Sequence, residues 1–214
     1  MTNSVLGVRN IQHTNGTDAM SIDTTGKVTF SNTSVGSNIL EKIGGLCDGS
    51  TRTTKSGATF TLPTVTAYQL INGTSYVDVD GSEVTYTAPT GCIGVLYEFL
   101  HRAAWNDTDH SIQHYRLYLD GTEVVYARTT HGGRYVEDKV GCTWYFGIDS
   151  SLSGQNSNSG AVPSWTSAKT IKWQSRAYAA NGVERMHGSQ YWDGGGGNQF
   201  HQPQIWITAF GASS

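Results

Sequence analysis

Apolar residues recur at every second position in short runs, and that period of two confines most of the chain to β-structure. Ile93, Val95, Tyr97 and Phe99 share one side of a run; Tyr115, Leu117 and Leu119 do the same, as do Ile171 with Trp173 and Ile205 with Ile207. Successive side chains of a strand point to opposite faces, so each run sets one face against a core. The pattern predicts strands over 58–62, 75–79, 83–87, 93–101, 113–119, 122–130, 139–148, 169–180 and 204–210. Pro63, Asp80-Gly81, Ala88-Pro89-Thr90-Gly91, Asp120-Gly121 and a Ser/Gly/Asn segment over 150–160 punctuate them. Eight or nine such strands with hairpin turns and long end loops predict an all-β, antiparallel, jelly-roll-like sandwich. The exception is the stretch from Asn38 to Leu46, where Ile39, Leu40, Ile43 and Leu46 have helical spacing interrupted by Gly44 and Gly45, which predicts a short helix at most.

Ahead of this body lies a strand-turn-strand unit. Met20 and Ile22 alternate with Ser21 and Asp23, Val28 and Phe30 alternate with Lys27 and Thr29, and Asp23-Thr24-Thr25-Gly26 supplies the turn. A lone hairpin is marginal in water, so its apolar side needs another surface. The segment Arg9-Asn10-Ile11-Gln12-His13-Thr14-Asn15-Gly16-Thr17, with Ala19-Met20, Ile22-Asp23, Gly26 and Val28, resembles the short N-terminal unit of fibre and virion structural proteins of marine tailed bacteriophages. A looser similarity to the β-sandwich heads of such proteins runs from Ile43-Gly44-Gly45-Leu46-Cys47-Asp48-Gly49 to the end. The resemblance implies a non-enzymatic virion protein, assembled in the host cytoplasm, whose arm docks on other virion proteins of capsid or tail. Val8, Ile11, Met20, Ile22, Val28 and Phe30 are the expected anchoring residues. The polar run 31–38 reads as a flexible joint, so the expected organisation is an arm over 1–36, a connector over 37–57 and a head over 58–214.

The second faces of the predicted strands are unusually apolar. Leu96, Leu100, Tyr118, Tyr178, Trp206 and Phe210 lie there and form an expected patch that a closed homotrimer would cover, unless loops pack over it. The net charge of −3 offers no basic footprint for nucleic acid. Neither a charged-then-apolar leader nor a run of about 18 apolar residues is present, so membrane insertion is not expected. Cys47, Cys92 and Cys142 lack paired zinc-type spacing and read as small apolar thiols.

Two clusters invite a functional reading. Asp107, Asp109, His110 and His114 are the densest group of metal-ligand types, but their spacing fits no established metal motif and reads first as a solvated loop entering the strand at Gln113, with a structural divalent cation as the lesser reading and no cofactor otherwise implied. Tyr191, Trp192, Asn198, Phe200 and His201 surround the tetraglycine Gly194 to Gly197, and aromatic faces beside an amide-rich loop suit stacking on a host-surface glycan. Trp192 and Phe200 could alternatively plug the end of the sandwich. Glycoside cleavage would need two carboxyls at set separation, and no spacing ties together Glu98, Asp107, Asp109, Glu123, Glu137 and Asp138. A Gly-x-Ser-x-Gly elbow is missing. The expectation is a trimeric short fibre or spike for host attachment, with a capsid decoration protein and a carbohydrate-binding module as alternatives.

Overall fold

The computed structural model describes residues 10–12, 18–22, 24–25, 28–30, 38–105, 111–133, 137–190 and 199–212. The chain divides into two compact units, with the change at Asn38/Ile39.

In the first unit, β1 (Asn10–Gln12), β2 (Asp18–Ile22) and β3 (Val28–Phe30) form an antiparallel sheet in that order. The expected hairpin is present: Met20 stands opposite Phe30, Ser21 opposite Thr29 and Ile22 opposite Val28. The extra strand β1 places Ile11 opposite Met20, so Ile11, Met20 and Phe30 occupy one register row. Val8 lies outside the described residues.

The second unit is all-β and antiparallel. Its larger sheet contains β4 (Ile39–Leu46), β7 (Gln69–Asn72), β10 (Cys92–Trp105), β13 (Glu137–Gly147), β15 (Val183–Met186) and β18 (Gln204–Gly211). The long β10 pairs with β13 along one edge, and its other edge is shared, with 92–100 on β18 and 103–105 on β15. The smaller sheet contains β8 (Val77–Asp78), β9 (Val84–Tyr86), β11 (Ser111–Leu119), β12 (Thr122–Gly133) and β14 (Lys169–Ala177), in the order β12-β11-β14 with β8 and β9 sharing the far edge of β14. Two short ribbons, β5 (Thr51–Thr53) with β6 (Thr59–Thr61) and β16 (Gly188–Ser189) with β17 (Gln199–Phe200), complete the unit. The pairing is nested: β11 with β12, outside them β10 with β13, then β9 with β14, then β4 with β18.

The core lies between the inward faces that the alternation assigned. Val95, Tyr97, Phe99, Tyr115, Leu117, Leu119, Ile171, Trp173, Ile205 and Ile207 are all buried, each large side chain contributing about 1.5–3 kcal/mol relative to exposure. Tyr115 stacks on Trp173 with ring centroids 4.2 Å apart. Ile93 departs from its row and is 43% exposed, because the β10–β18 register shifts between Cys92 and Gly94. A bulge of this kind turns one residue out of the alternation. Cys47 and Cys142 are buried, and burial pushes both thiols up to about 12.

Three expectations need correction. The stretch expected as a short helix is strand β4, and residues 37–57, expected as a connector, bring β4 and β5 into the second unit. The reason is the glycine pair. Gly44 has φ +149°, and a Cβ there would lie 2.2 Å from the Ile205 carbonyl oxygen, so glycine alone lets β4 close onto β18. The six second-face residues do not form one patch. Leu96, Leu100, Trp206 and Phe210 lie outward on the larger sheet, whereas Tyr118 lies outward on β11 and Tyr178 follows β14.

Candidate functional site

The long β10 carries the chain to one end of the two sheets and there sets several strand termini side by side. Ala104 stands opposite Glu137, Trp105 opposite Glu184, and Ser111 opposite Gly133. The His187 amide donates to the Arg102 carbonyl at 2.7 Å, and the Gln190 amide donates to Glu137 Oε1. The residues flanking 106–110, 134–136 and 191–198 therefore meet at this end. Described residues that flank both clusters singled out in the sequence, some 80 positions apart, lie at this end. Asp107, Asp109, His110, Tyr191, Trp192 and Asn198 themselves lie outside the described residues.

The described members separate. Phe200 is half-buried and packs against the core. His201 holds Ser189 Oγ with Nε2 at 2.8 Å and donates its amide to the His187 carbonyl. Its imidazole is depressed below the ordinary value by burial, then by Arg102. His114 is not with them: it lies outward on β11, with Nδ1 3.1 Å from Thr130 Oγ1 and its ring 5.7 Å from Tyr178.

Beneath the converging strand ends the interior is polar. His131 of β12 reaches Glu184 of β15 with Nδ1 3.0 Å from Oε1, and its Nε2 lies 3.5 Å from Asp138 Oδ2. Because β12 and β15 belong to different sheets, this pair fastens the two layers together. Glu184 is only 2% exposed, and burial raises its carboxyl. The hydrogen bond that His131 donates to the Glu184 carboxylate in turn raises the imidazole above its ordinary value. Farther in, the buried imidazoles of His101 and His187 lie 5.2 Å apart, and burial pushes them down to about 3 and about 4, so both are neutral at pH 7. His187 adopts φ +63°, a left-handed turn that lets its amide and carbonyl tie Arg102 to His201.

Sequence reasoning missed this group because its members come from four separate segments with no local motif. One signal was available: His101 continues the parity of Val95, Tyr97 and Phe99, so alternation alone makes it an inward-facing polar residue. The carboxylates considered for hydrolysis are dispersed or tied. Glu98 lies outward on the larger sheet beside Lys42 at 3.7 Å, Glu123 bonds Arg128 on the smaller sheet, and Glu137 lies 3.4 Å from Arg102. Among the described residues no group of three or more His, Cys, Asp or Glu is arranged to hold a metal ion, and no helix is long and apolar enough to cross a membrane. A cleft of about 770 Å³ opens at the other end of β10, lined by Lys55, Pro89, Cys92, Pro163 and Trp165 among others. The His131–Glu184 pair braces the two sheets at the opposite end. Compared with known proteins, the chain matches no protein-family model and no curated protein.

Proposed function

We propose that this protein is a non-enzymatic bacteriophage virion component: a trimeric jelly-roll head, mounted on the particle by its N-terminal β unit and presenting its loop end to the host surface. The observation that carries this reading is the separate sheet β1-β2-β3, none of whose strands pairs with a described strand of the second unit. Strands of three to five residues make a sheet with little independent stability, so such a unit suits docking on another protein. The resemblance of residues 9–28 to phage virion proteins supplies the identity of that partner.

The nested pairing of eight strands, first with last and so inward, favours a rolled-up hairpin of the jelly-roll kind. Trimerisation is supported by the outward face of the larger sheet, where Leu46, Leu96, Leu100, Tyr145, Trp206 and Phe210 are exposed or half-buried. Exposed apolar side chains grouped on one face, here interspersed with Lys42 and Glu98, suit an association surface.

The test is incorporation. A chain beginning at residue 39 should retain the melting transition of the head but fail to join particles assembled in infected cells, while the full chain is incorporated. Equal incorporation of both would overturn the anchoring role. Light scattering should give a trimer mass for the full chain and a monomer mass for Leu96→Arg; a monomeric wild-type chain at micromolar concentration would refute the trimer. Imaging of particles by cryo-electron microscopy then separates a short fibre from capsid decoration.

A further inference from the structure

The two outward faces of the sandwich differ in chemistry. The larger sheet carries most of its exposed apolar side chains there, and its charges are largely paired, Lys42 with Glu98 at 3.7 Å and Arg102 with Glu137 at 3.4 Å. Over the outward face of the smaller sheet stand Arg116, Arg128, Lys172 and Arg176. Glu123 serves both Arg116, at 3.3 Å, and Arg128, at 2.6 Å, while Asp78 serves Lys172 at 3.1 Å. Arg176 donates from Nη1 to the Ala177 carbonyl and has no carboxylate within salt-bridge distance among the described residues. Asp80 and Glu83 add exposed carboxylates at the β8–β9 edge near Lys172, so the surplus is local: Arg116, Arg128 and Arg176 together have Glu123 as the one carboxylate within salt-bridge distance among the described residues.

One ring gathers two of these cations. The Tyr76 ring centroid is 4.2 Å from Arg116 Cζ and 5.3 Å from Arg176 Cζ. Holding two guanidiniums on one aromatic ring brings like charges together, a cost that a bound anion relieves. The guanidinium fork matches a planar carboxylate in two parallel hydrogen bonds. Beside them are aromatic surfaces: Tyr118 follows Arg116 by two positions on the same side of β11, and Tyr178 is 62% exposed with its ring 5.7 Å from His114. The field of the cations is felt locally, since His114 is depressed first by burial and then by Arg176 and Arg116.

We propose that the outward face of the β12-β11-β14 sheet binds an acidic polysaccharide, with Arg116 and Arg176 taking the carboxylate of a uronic-acid unit and Tyr178 a sugar face. Charge complementarity selects the acidic polymer, and the exposed Tyr178 ring, two positions after Arg176, selects a sugar over a simple anion. The proposal goes beyond the loop-end reading by adding a second surface, and rests on the host-attachment reading for the source of the polymer.

The experiment measures binding of the full chain to oligogalacturonate, with neutral dextran and duplex DNA as comparisons. Saturable binding to oligogalacturonate is expected, weakening as salt rises and absent for dextran. The double variant Arg116→Gln/Arg176→Gln should weaken it at least tenfold, and Tyr178→Ala, which leaves the charge unchanged, severalfold. Should the double variant fail to fold, Arg176→Lys supplies the same test by keeping charge while removing the fork, with a smaller loss expected. Absent binding, equal binding to dextran, DNA binding as tight as that of oligogalacturonate, or variants that bind like wild type would each overturn the proposal. None of these outcomes bears on particle incorporation through residues 1–38, so the failure of this site and the failure of the virion reading are distinguishable.

Discussion

Removing the imidazole of His131 tests the cross-brace at the loop end. Glu184 is 2% exposed, and its Oε1 lies 3.0 Å from His131 Nδ1. In His131→Ala the carboxylate stays in the interior without its counter-charge, and breaking a buried pair in this way costs about 3–5 kcal/mol. For a folded body of this size, where each kcal/mol shifts Tm by roughly 2–4 °C, the expected fall is about 6–20 °C near neutral pH. The dependence on pH identifies the cause. His131 has a folded pKa above its unfolded value, so its contribution is complete below the ordinary histidine range and is lost as pH rises through the raised value. Toward acid, Glu184 of the variant takes up a proton and the penalty disappears, because burial already raises that carboxyl. The difference between wild type and variant should therefore peak between the two pKa values and shrink on both sides. Glu184→Gln, which keeps a hydrogen-bonding side chain without the charge, should cost only about 1 kcal/mol. Urea melts of the three proteins from pH 5 to 9 provide the measurement. A loss below about 1 kcal/mol for His131→Ala, or a loss independent of pH, would show that the pair does not brace the sheets.

Three further outcomes follow from the interior and the sheet edge. The buried imidazoles of His101 and His187 have folded pKa values of about 3 and about 4, below their unfolded value, so stability should be full above the ordinary histidine range and decline with acid. By pH 4.5 the decline amounts to roughly 2–3 kcal/mol per imidazole, and His101→Phe should flatten the acid limb in denaturant melts; an unchanged limb would contradict it. Gly44→Ala forces a Cβ to within 2.2 Å of the Ile205 carbonyl oxygen and should cost about 1–3 kcal/mol in a urea melt, whereas wild-type stability would mean that β4 does not lie so close to β18. Thiol labelling under native conditions should modify the half-buried Cys92 first, while Cys47 and Cys142 react only on unfolding; equal rates for all three would refute their burial.

Much of the candidate site was hidden from sequence reading for a definable reason. His131 and Glu184 are 53 positions apart and meet only because β12 and β15 close the same end of different sheets. Strand β15, Val-Glu-Arg-Met, reads as a polar segment, yet Glu184, Arg185 and Met186 are all buried. Arg116 and Arg176 likewise come together through antiparallel pairing of β11 with β14, in which His114 opposes Arg176 and Arg116 opposes Gln174.

What the sequence determined by itself is the local alphabet of this protein: strands from the period of two, turns from glycine, proline and aspartate, and a core-facing set whose members Val95, Tyr97, Phe99, Leu117 and Trp173 are buried as the alternation requires. Those features depend on neighbours along the chain, and covalent geometry makes them readable. Which strands pair, that β4 joins β18 where helical spacing suggested otherwise, and which cations share one tyrosine were decided only by the tertiary structure. The reason is that strand pairing and burial are non-local: a backbone edge or a carboxylate has no partner until the sheets have formed, and the same local pattern is compatible with many partners.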